Sequence, residues 1–540
     1  MFPALTAAQI ERVRAIGEEV AFADGDLVFD RGDRSAPFFV VLEGELEIVH
    51  PSVGFEDLIT VHGHGQFTGE ASSLADRPTM VRARARGQVR ALRVEHGRFR
   101  TLLQTDPDLS EVVMRAFILR RMGLLSGAHG DAVVIGSRHS ASTLRVREFL
   151  VRNGHPYRYL DVEGADEVEQ LLGDARIAVA DVPILIHDRK VLRNPSDIEV
   201  AEALGMNPQL EPCELHDLVV CGAGPSGLAA AVYAASEGLD VLVVETHAPG
   251  GQAASSSKIE NYLGFPTGLS GQALAGRALA QAEKFGAKLL VARGAVELRC
   301  GRGPISVELA GGQCVRARAV VIATGAEYRK LDVPELARFE GVGVYYAATF
   351  MEAQQCPDDE IIVVGGGNSA GQAATFLAQS CKRVHMLVRS DGLAATMSRY
   401  LIRRIEDTPN ITLRTRTKLV AFDGDGHLEQ VTWRDERSGE QTTLPIRHVF
   451  TMAGARPNTQ WLRDCVRTDE NGFVITDAEL SDAMLAEDGW PLARRPYLFE
   501  TSRPRIFAVG DVRANNVKRV ASAVGEGSVC IQLVHKALLD

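Results

Sequence analysis

Residues 216–245 read HDLVVCGAGPSGLAAAVYAASEGLDVLVVE, a strand, a glycine turn, a helix and a second strand that ends in an acid. Gly222, Gly224 and Gly227 fit the pattern G-x-G-x-x-G. In such a unit the first glycine permits a tight turn, the second lets the backbone approach a pyrophosphate, and the third lets the helix pack closely on the strand. The helix N-terminus then faces the phosphates, and Glu245 is placed for ribose hydroxyls. Because the complete βαβ pattern surrounds these glycines, the sequence predicts a dinucleotide site here.

A second unit of the same kind follows at residues 359–389, which read DEIIVVGGGNSAGQAATFLAQSCKRVHMLVR. Its glycine turn follows the pattern G-x-G-x-x-A, and an arginine stands just after the next strand. The candidate residues of this second site are Gly365, Gly367, Asn368, Ser369, Ala370 and Arg389. Two nucleotide sites in one chain predict two cofactors.

The composition is that of an ordinary globular protein, with 45% hydrophobic and 24% charged residues among 540. A chain of this length is too long for one core, and we argue for four domains. The net charge of −11 and the lack of a Lys/Arg block argue against nucleic-acid binding. The N-terminus lacks the pattern of a secretory leader, and no run of about eighteen apolar residues occurs, so we expect a cytoplasmic protein without a membrane span.

The cysteines are scattered along the chain, and no two of them form a C-x-x-C pair. They are Cys213, Cys221, Cys300, Cys314, Cys356, Cys381, Cys465 and Cys530. This spacing predicts reduced thiols rather than a disulfide framework. It also lacks metal-ligand spacing, so we expect no metal site.

Five short motifs follow the first glycine turn in a specific order. They are GGQ (250–252), IENYLGFP (259–266), ATG (323–325), GARPNT (454–459) and FAVGDVR (507–513). Together with the two glycine turns, they make residues 215–540 resemble the low-molecular-weight thioredoxin reductase family of flavoproteins. The resemblance implies an FAD-binding domain at 213–336 and 456–540, an inserted NAD(P)H-binding domain at 337–455, and a homodimer.

The same resemblance implies the cofactor residues. Asp511 is expected on the flavin ribityl chain, Gln252 and Asn261 near the flavin, and the RVASA segment (519–523) along its ring. The full implied FAD set is Gly222, Gly224, Gly227, Glu245, Gly251, Gln252, Asn261, Gly325, Asp511, Val520 and Ala521.

The nicotinamide nucleotide is implied less strongly than FAD. Family members hold the NADPH phosphate with H-R-R-x-x-x-R after the second strand of the insert, whereas this chain reads VRSDGLAAT (388–396). Only Arg389 of that cluster is present, with Ser390 and Ala394 at the other two positions. The arginines at positions 399, 403 and 404 are further candidates. An Arg and a Ser suffice for charge-assisted contacts with a phosphate, so we favour NADPH and keep NADH open.

The family dithiol is missing. Where members carry Y-C-A-T-C-D, this chain reads YAATFM (346–351), which puts Ala347 and Phe350 at the cysteine positions. Neither side chain can attack a disulfide. We therefore expect hydride transfer from NADPH to FAD and onward delivery to a non-thiol acceptor such as a quinone, ferredoxin, flavodoxin or a small molecule. Two alternatives stay open. The first is disulfide reduction through another cysteine; Cys356 and Cys530 are the candidates, although both are expected in cores. The second is a ligand-regulated redox sensor with little turnover.

Aromatic residues stand beside the missing dithiol. From their positions alone, Tyr345, Tyr346 and Phe350 are expected to shield the flavin ring.

The N-terminal segment, 1–127, alternates short apolar runs with glycines and predicts a small barrel or jelly roll followed by a helix. The runs are GDLVFDRGD (25–33), PFFVVLEGELEIV (37–49), HGQFTGEASSL (64–74) and VRARARGQVRALRV (81–94), and the helix is DPDLSEVVMRAFILRRMGLL (106–125). The segment resembles the cyclic-nucleotide-binding domain family, in which a Gly-Glu pair holds the ribose and an Arg followed by Ser/Thr holds the cyclic phosphate. Gly69, Glu70 and Arg77 match, whereas Pro78 replaces the hydroxyl residue. Two alternatives are left open: a barrel that binds a nucleotide, and a barrel kept for dimerisation or docking with an empty or altered pocket.

Residues 128–212 alternate strands and helices in a β-α-β-α-β-β-α succession. VADVPILI (179–186) resembles the cis-proline turn of thioredoxin and glutaredoxin folds, with Pro183 at the turn. In that fold the redox loop would be residues 137–140, which read Ser-Arg-His-Ser and contain no thiol. We therefore expect this domain to have a docking or structural role, with His139 on its surface. The predicted architecture is therefore multidomain: a β jelly roll of cyclic-nucleotide-binding type, an α/β thioredoxin-like domain and two α/β Rossmann-like nucleotide-binding domains.

Overall fold

The fold is given by a computed structural model that describes residues 2–34, 36–52, 55–75, 78–126, 132–138, 140–162, 182–187, 190–211, 214–301 and 303–540. In these ranges the chain forms an N-terminal barrel (to residue 126), a middle unit (132–211) and a C-terminal region built on two larger sheets. Within the same ranges, no helix is long and apolar enough to cross a membrane.

The N-terminal barrel has the short strands and the closing helix that the sequence predicts. Its elements are α1 (Ala7–Arg14), β1 (Glu18–Phe22), β2 (Leu27–Phe29), β3 (Phe38–Ser52), β4 (Phe55–His62), β5 (Phe67–Thr68), α2 (Glu70–Ala75), β6 (Arg82–Val94), α3 (His96–Thr105) and α4 (Pro107–Ser126). Strands β1, β6, β3 and β4 pair in that order, with β2 on β6 and β5 on β3.

The expectation of a strand over residues 64–74 is wrong in its second half. Only β5 is extended there, and α2 begins at Glu70. Gly69 turns the chain between them with φ +88°, and a Cβ at this position would lie 2.1 Å from the Pro37 carbonyl oxygen. The close approach of the two chain segments therefore requires glycine.

The middle unit is a four-stranded sheet with helices packed on it. Its elements are β7 (Ala132–Gly136), α5 (Ala141–Arg152), β8 (Tyr157–Asp161), β9 (Ile184–His187), β10 (Lys190–Arg193) and α6 (Asp197–Ala203). The strand order is β10-β9-β7-β8, with β7 parallel to β8 and antiparallel to β9. The Val182–Pro183 peptide bond is cis, as the resemblance implies. His139 and the second predicted helix, within 163–181, lie outside the described residues.

The C-terminal region opens with the predicted strand, turn, helix and strand. Its first elements are β11 (Leu215–Cys221), α7 (Pro225–Ser236), β12 (Val241–Val244), α8 (Gly251–Ala254), α9 (Gly271–Phe285), β13 (Lys288–Leu290), β14 (Ala295–Arg299), β15 (Ile305–Leu309), β16 (Cys314–Ile322) and β17 (Ala326–Tyr328). The sheet runs β13-β12-β11-β16-β15-β14. Strands β11, β12, β13 and β16 are parallel, which places their carboxyl ends along one edge of the sheet.

A second parallel sheet is inserted next. Its elements are α10 (Leu336–Phe339), β18 (Val344–Tyr345), α11 (Phe350–Ala353), β19 (Glu360–Val364), α12 (Asn368–Leu377), β20 (Arg383–Leu387), α13 (Arg399–Asp407), β21 (Ile411–Arg414), β22 (Thr417–Asp423), β23 (Gln430–Asp435), β24 (Gln441–Leu444) and β25 (Val449–Thr451). The strand order is β18-β25-β19-β20-β21, and β22, β23 and β24 form a separate sheet.

The chain then returns to the first sheet. The last elements are β26 (Ala455–Pro457), α14 (Asp482–Glu487), β27 (Ile506–Ala508) and α15 (Val520–Leu539). Strand β26 pairs with β17, and β27 adds to β16. The chain therefore crosses between the two large sheets at β17 and β26, as a domain inserted in another requires. The individual domain boundaries given above stay predictions.

One pair of cysteines corrects the expectation of reduced thiols. Cys300 and Cys465 form a disulfide, with their Cα atoms 6.0 Å apart. Cys300 follows β14, and Cys465 follows the short 3₁₀ turn Gln460–Leu462 that packs beside it. The two cysteines are separated by 165 residues. The inserted sheet lies between them in sequence, so spacing alone gave no sign of the pairing.

Candidate functional site

The first glycine turn, between β11 and α7, has the geometry of a phosphate cradle. Gly222 has φ +107°, and a Cβ there would lie 2.4 Å from the Ala323 carbonyl oxygen. A Cβ on Gly227 would lie 1.9 Å from the Gly222 carbonyl oxygen. At Gly224, the residue that caps α7, a Cβ would meet no atom within 4 Å. Two glycines are therefore required by packing and the third faces open space at a helix N-terminus, which fits a bound pyrophosphate.

The acid at the end of β12 lies beside this turn. The Glu245 carboxylate accepts hydrogen bonds from the backbone N–H of Ala223 (2.7 Å) and of His247 (3.0 Å). These bonds fix its position next to the cradle. A carboxylate held in this place is suited to the ribose hydroxyls of a dinucleotide.

The GGQ motif closes the other side of the cradle. Gly251 has φ +53°, and a Cβ on it would lie 3.1 Å from the Gly224 Cα atom. Gln252 is exposed on α8, and Asn261 is exposed in the loop that follows. Gly325, after β16, accepts a hydrogen bond from the Asn458 backbone N–H at 3.1 Å. The structure thus brings Gly251 to the turn, whereas the predicted roles of Gln252 and Asn261 stay predictions.

Asp511 lies on a short 3₁₀ turn, Gly510–Val512, at the end of β27. Burial raises the pKa of Asp511; Lys518 opposes this effect and Glu526 adds to it. Val520 and Ala521 form the first turn of α15 nearby. A half-buried carboxylate of this kind suits a hydroxyl-rich ligand that can donate hydrogen bonds to it.

Glu526 on α15 organises this turn and was missed at the sequence level. Its carboxylate accepts from the Gly510 backbone N–H (2.7 Å), from Arg513 (2.8 Å) and from Asn516 (2.7 Å). Glu526 and Arg513 are both mostly buried, with side chains 13% and 14% exposed. A signal was present in the sequence, since Glu526 is the one charged residue in the small and apolar first half of this helix and required a partner.

The second glycine turn, between β19 and α12, repeats the first. Gly365 has φ +138°, with a Cβ position 2.6 Å from the Met452 carbonyl oxygen, and Gly367 again faces open space as the cap of α12. Ala370 is fully buried behind the turn. Asn368 accepts from the Ser398 backbone N–H at 2.7 Å, which ties the turn to α13. The open space at Gly367 fits a second nucleotide.

The arginines predicted around this site differ in their exposure and in their contacts. Arg389 is exposed after β20. Arg404 on α13 is engaged elsewhere, because it donates to Glu260 of the first nucleotide-binding region at 2.7 and 3.3 Å. Arg404 is therefore a contact between the two nucleotide-binding regions and not a free phosphate ligand in this arrangement.

Tyr328 on β17 connects the two candidate sites. Ser369 of the second glycine turn and Asp511 both lie close enough to Tyr328 to act on its pKa. Burial raises the pKa of Tyr328, so its hydroxyl stays protonated near neutral pH. The two candidate nucleotide sites therefore converge on one side chain that sequence reasoning did not select.

The segment in place of the dithiol packs against the inserted sheet. Tyr345 is buried, donates to Gln355 at 3.0 Å and packs against Phe450, so its expected role over the flavin is wrong. The Tyr346 hydroxyl donates to Glu340 at 2.6 Å. Ala347 lies in the loop before α11, and Phe350 is the first residue of that helix.

Two other cysteines lie close together behind α11. The Cys356 and Cys381 sulfur atoms are 3.7 Å apart, and both residues are buried. Hydrogen bonding with Cys381 and burial raise the pKa of the Cys356 thiol. Cys530 is also buried, which raises its pKa, so the prediction that Cys356 and Cys530 pack in cores is confirmed.

In the barrel, the predicted ribose-binding pair, Gly69 and Glu70, lies where β5 ends and α2 begins. Glu70 is 4% exposed and accepts from Arg120 of α4 at 2.8 Å. The Arg120 guanidinium also lies over the Phe67 ring, 4.8 Å from its centre. Arg77, the predicted phosphate ligand, lies outside the described residues.

The expected lack of a metal site stays a prediction. Among the described residues, Glu214, His216 and Asp240 form one cluster whose ligand atoms lie within 4.8 Å of one another. His216 and Asp240 already pair at 2.7 Å, and Asp240 is half exposed. His216 is buried, and exposed acidic groups such as Asp240 are common without an ion.

Comparison with known proteins finds two matching families and several similar thioredoxin reductases. Residues 216–527 match the pyridine nucleotide-disulphide oxidoreductase family, and residues 19–106 match the cyclic nucleotide-binding domain. The thioredoxin reductase of Listeria innocua is 31% identical over 60% of this chain and 94% of its own length. That of Ureaplasma parvum is 33% identical over 58% of this chain and 94% of its own length. The solved thioredoxin reductase of Lactococcus lactis in the FR conformation covers 60% of this chain and 99% of its own, with a TM-score of 0.54 at 27% identity.

The family match includes both glycine turns, the Asp511 turn and the first part of α15, and it extends over more than half of the chain. The family's cofactors, FAD and NADPH, fit the two open glycine cradles described above. The chain therefore belongs to the pyridine nucleotide-disulphide oxidoreductase family, as an FAD-dependent oxidoreductase of thioredoxin reductase type that carries a cyclic nucleotide-binding domain at its N-terminus.

Proposed function

We propose that this protein oxidises NADPH and delivers the two electrons through FAD to an acceptor other than a protein dithiol. With a quinone as acceptor the reaction balances: NADPH, one proton and the quinone give NADP⁺ and the quinol. Ferredoxin, flavodoxin and other small molecules are the remaining candidate acceptors. The observation that carries the proposal is the sequence itself, which contains no C-x-x-C pair and has Ala347 and Phe350 where the family resemblance expects one.

The chain's own residues would hold and orient the cofactors. When bound, FAD and NADPH supply the hydride chemistry. Gly224, where a Cβ would meet no atom within 4 Å, would leave room for the FAD pyrophosphate, Glu245 would bind its ribose, and Asp511 would bind its ribityl hydroxyls. Gly367 leaves room for the NADPH pyrophosphate, and the exposed Arg389 is available for the additional phosphate.

The described free cysteines give little support for a thiol relay. Four of them, Cys221, Cys356, Cys381 and Cys530, are buried, and Cys314 is half-buried. A relay needs a thiolate that a substrate disulfide can reach. Burial raises the pKa of the Cys221 and Cys530 thiols and contributes to that of Cys356, so these three groups stay protonated and enclosed.

The test compares two acceptors under the same conditions. Purified FAD-loaded protein is mixed with NADPH and a soluble naphthoquinone, and separately with NADPH and oxidised thioredoxin, and NADPH oxidation is followed. We expect rapid turnover with the quinone and background rates with thioredoxin. Turnover with thioredoxin and none with the quinone would reject the proposal, and NADH in place of NADPH gives the nucleotide preference.

Disulfide reduction is the second candidate, because the relatives named above are thioredoxin reductases and because Cys356 and Cys381 lie 3.7 Å apart. Their sulfur atoms are close enough to form a disulfide after a small shift. If this pair is a relay, Cys356→Ser and Cys381→Ser will each abolish thioredoxin reduction. Cys530→Ser is the matched control, since Cys530 is equally buried but lies on α15. Unchanged rates in all three variants would end this candidate.

A regulatory function is favoured by the way the barrel is attached. Helices α2 and α3 of the barrel contact α9, which belongs to the predicted FAD-binding region (213–336 and 456–540). Ala280 of α9 is part of the barrel's own hydrophobic core. Glu70, the candidate ribose ligand, is the first residue of α2. A cyclic nucleotide bound there would act on a helix that directly touches the FAD-binding region, and coupling requires that it favour one of two enzyme states.

Regulation is tested with cAMP and cGMP as probes. Binding is measured by calorimetry, and flavin reduction by NADPH is measured with and without each nucleotide. A change in reduction rate that Glu70→Gln removes would support regulation. Lack of binding, or binding that leaves the rate unchanged, would reject it. The homodimer expected from the family is checked in the same samples by light scattering.

A further inference from the structure

The middle unit is packed onto the FAD-binding region as part of one core. Phe149 of α5 and Val200 of α6 belong to the same buried cluster as Leu228 of α7 and Ile531 of α15. Polar contacts add to this packing: Arg152 donates to the Gly251 carbonyl oxygen at 3.0 Å, and the buried Asn153 donates to the His247 carbonyl oxygen at 3.1 Å. The middle unit is therefore a fixed part of the molecule and not a tethered domain.

These contacts fall on the FAD-binding segments themselves. Gly251 belongs to the GGQ motif beside the phosphate cradle, and His247 follows Glu245 by two residues. The backbone of Glu245 is tied in turn to Arg293, whose N–H donates to the Glu245 carbonyl oxygen at 2.9 Å. The Arg293 side chain pairs with Glu202 of α6. The middle unit thus contacts Gly251, His247 and Arg293. These residues lie in and beside the segment 245–251, which would hold the adenosine half of the cofactor.

An open cavity of about 640 Å³ lies at this junction. One wall comes from the FAD-binding region and includes Thr246, His247 and Ala292. The opposite wall comes from the middle unit and includes Arg145, Asn194 and Ile198. The volume is in the range of pockets that bind molecules the size of a nucleoside, and the lining combines apolar surface with a few polar groups, as such pockets do.

An ion-pair cluster holds the two walls together. Asp197, at the start of α6, accepts from Arg145 within the middle unit and from His247 of the FAD-binding region, the latter at 3.3 Å. Arg145 also donates to the Pro195 carbonyl oxygen at 2.5 Å. The hydrogen bond to Asp197 raises the pKa of His247, as expected for a histidine whose cation is paired. The wall is thereby fixed in place before any ligand arrives.

We propose that the middle unit forms the outer wall of the adenosine end of the FAD site, so that a domain without a redox thiol serves to retain the cofactor. This inference rests on the proposed function, because it assigns the Gly222–Glu245 turn to FAD. With the pyrophosphate at Gly224 and the ribose at Glu245, the adenine base enters the cavity beside Thr246 and Ala292. Ile198 and Ala310 provide apolar surface for the base, and Arg145 and Asn194 provide hydrogen-bond donors for its ring nitrogens.

The first test places a larger side chain of the middle unit in the cavity. Ser142 lines the cavity on α5, and Ser142→Trp places a large ring in the space assigned to adenine. We expect FAD affinity, measured by flavin fluorescence on titrating the apoprotein, to fall about tenfold or more. FMN, which lacks adenosine, should bind this variant as it binds the wild type. Val151→Trp is the matched control, since Val151 is on the same helix, 39% exposed and not in the cavity wall.

A second measurement covers the case in which Ser142→Trp does not fold. Hydrogen exchange of the wild-type protein is compared without flavin, with FMN and with FAD. Protection of residues 194–199 and 246–247 by FAD but not by FMN supports the inference. Equal protection by both flavins, or unchanged FAD affinity in folded Ser142→Trp, overturns it. These readouts concern binding alone, so they separate this inference from the proposed function, which fails only in the acceptor assay.

Discussion

Gly224 and Gly227 serve different purposes at the same turn, and substitution separates them. A Cβ on Gly224 meets no protein atom within 4 Å, whereas a Cβ on Gly227 would lie 1.9 Å from the Gly222 carbonyl oxygen. We expect Gly224→Ala to leave the apoprotein stable while lowering FAD affinity about tenfold or more, because the methyl group enters the space assigned to the pyrophosphate. Gly227→Ala should cost more than about 2 kcal/mol of stability. Thermal unfolding of the apoproteins measures the stability of the two variants, and flavin titration measures their FAD affinity. Full FAD affinity in Gly224→Ala would contradict the assignment of this space to the pyrophosphate.

His62 makes the barrel sensitive to acid. Burial, together with the nearby Arg120, lowers the pKa of His62 to about 3. The unfolded chain binds a proton on this residue below its ordinary pKa of about 6.5, and the folded barrel does not, so stability falls as the pH drops from about 6.5 towards 3. The loss is at most about 1.4 kcal/mol per pH unit. Hydrogen exchange of β3 and β6, corrected for intrinsic rates, should show this slope, and His62→Phe should reduce it. An unchanged slope in that variant would assign the effect to other groups.

At the scale of elements, α15 positions the Asp511 turn through Glu526. Replacement by Gln keeps the shape but removes the charge that pairs with Arg513. We expect Glu526→Gln to cost about 1–3 kcal/mol of stability and to lower FAD affinity, since the turn that carries Asp511 loosens. Glu237→Gln is the control, because Glu237 pairs with His535 between α7 and α15 but is 45% exposed, and such a pair contributes little. Equal losses in the two variants would mean that Glu526 has no special role.

The Cys300–Cys465 disulfide is also an element-scale feature, because it links the end of β14 to the turn after β26. It closes a loop of 165 residues that contains the whole inserted sheet. In the chain-entropy model such a loop is worth up to about 5 kcal/mol, so reduction or Cys300→Ser should lower the denaturant midpoint. Urea unfolding with and without a reductant measures this effect. An identical midpoint in both buffers would show that the bond contributes nothing to stability.

For the whole molecule, the sequence predicted what depends on local pattern. Both glycine turns, the parallel strands around them and the helix from Pro107 are confirmed, because tight turns and periodic apolar residues act over short distances. The barrel and its helix were likewise predictable, apart from the strand that ends at Gly69.

What the sequence did not predict depends on contacts between distant segments. The Cys300–Cys465 pair, the Arg404–Glu260 contact and the meeting of Ser369 with Tyr328 each join residues from separate motifs. Tyr345 was misassigned for the same reason, since only the packing of β18 beside β25 shows that its ring lies among core side chains. The cavity shared by the middle unit and the FAD-binding region had no signal in either segment alone.

The central claim, that electrons leave this protein without a dithiol, is tested most directly by anaerobic stopped-flow absorbance in two mixing steps. FAD-loaded protein is first reduced with a single equivalent of NADPH, and the flavin band should bleach. The reduced protein is then mixed with a soluble naphthoquinone or with oxidised thioredoxin. The account predicts that the band returns quickly with the quinone and stays bleached with thioredoxin. Return of the band with thioredoxin but not with the quinone would contradict it and would place a working thiol relay in this chain.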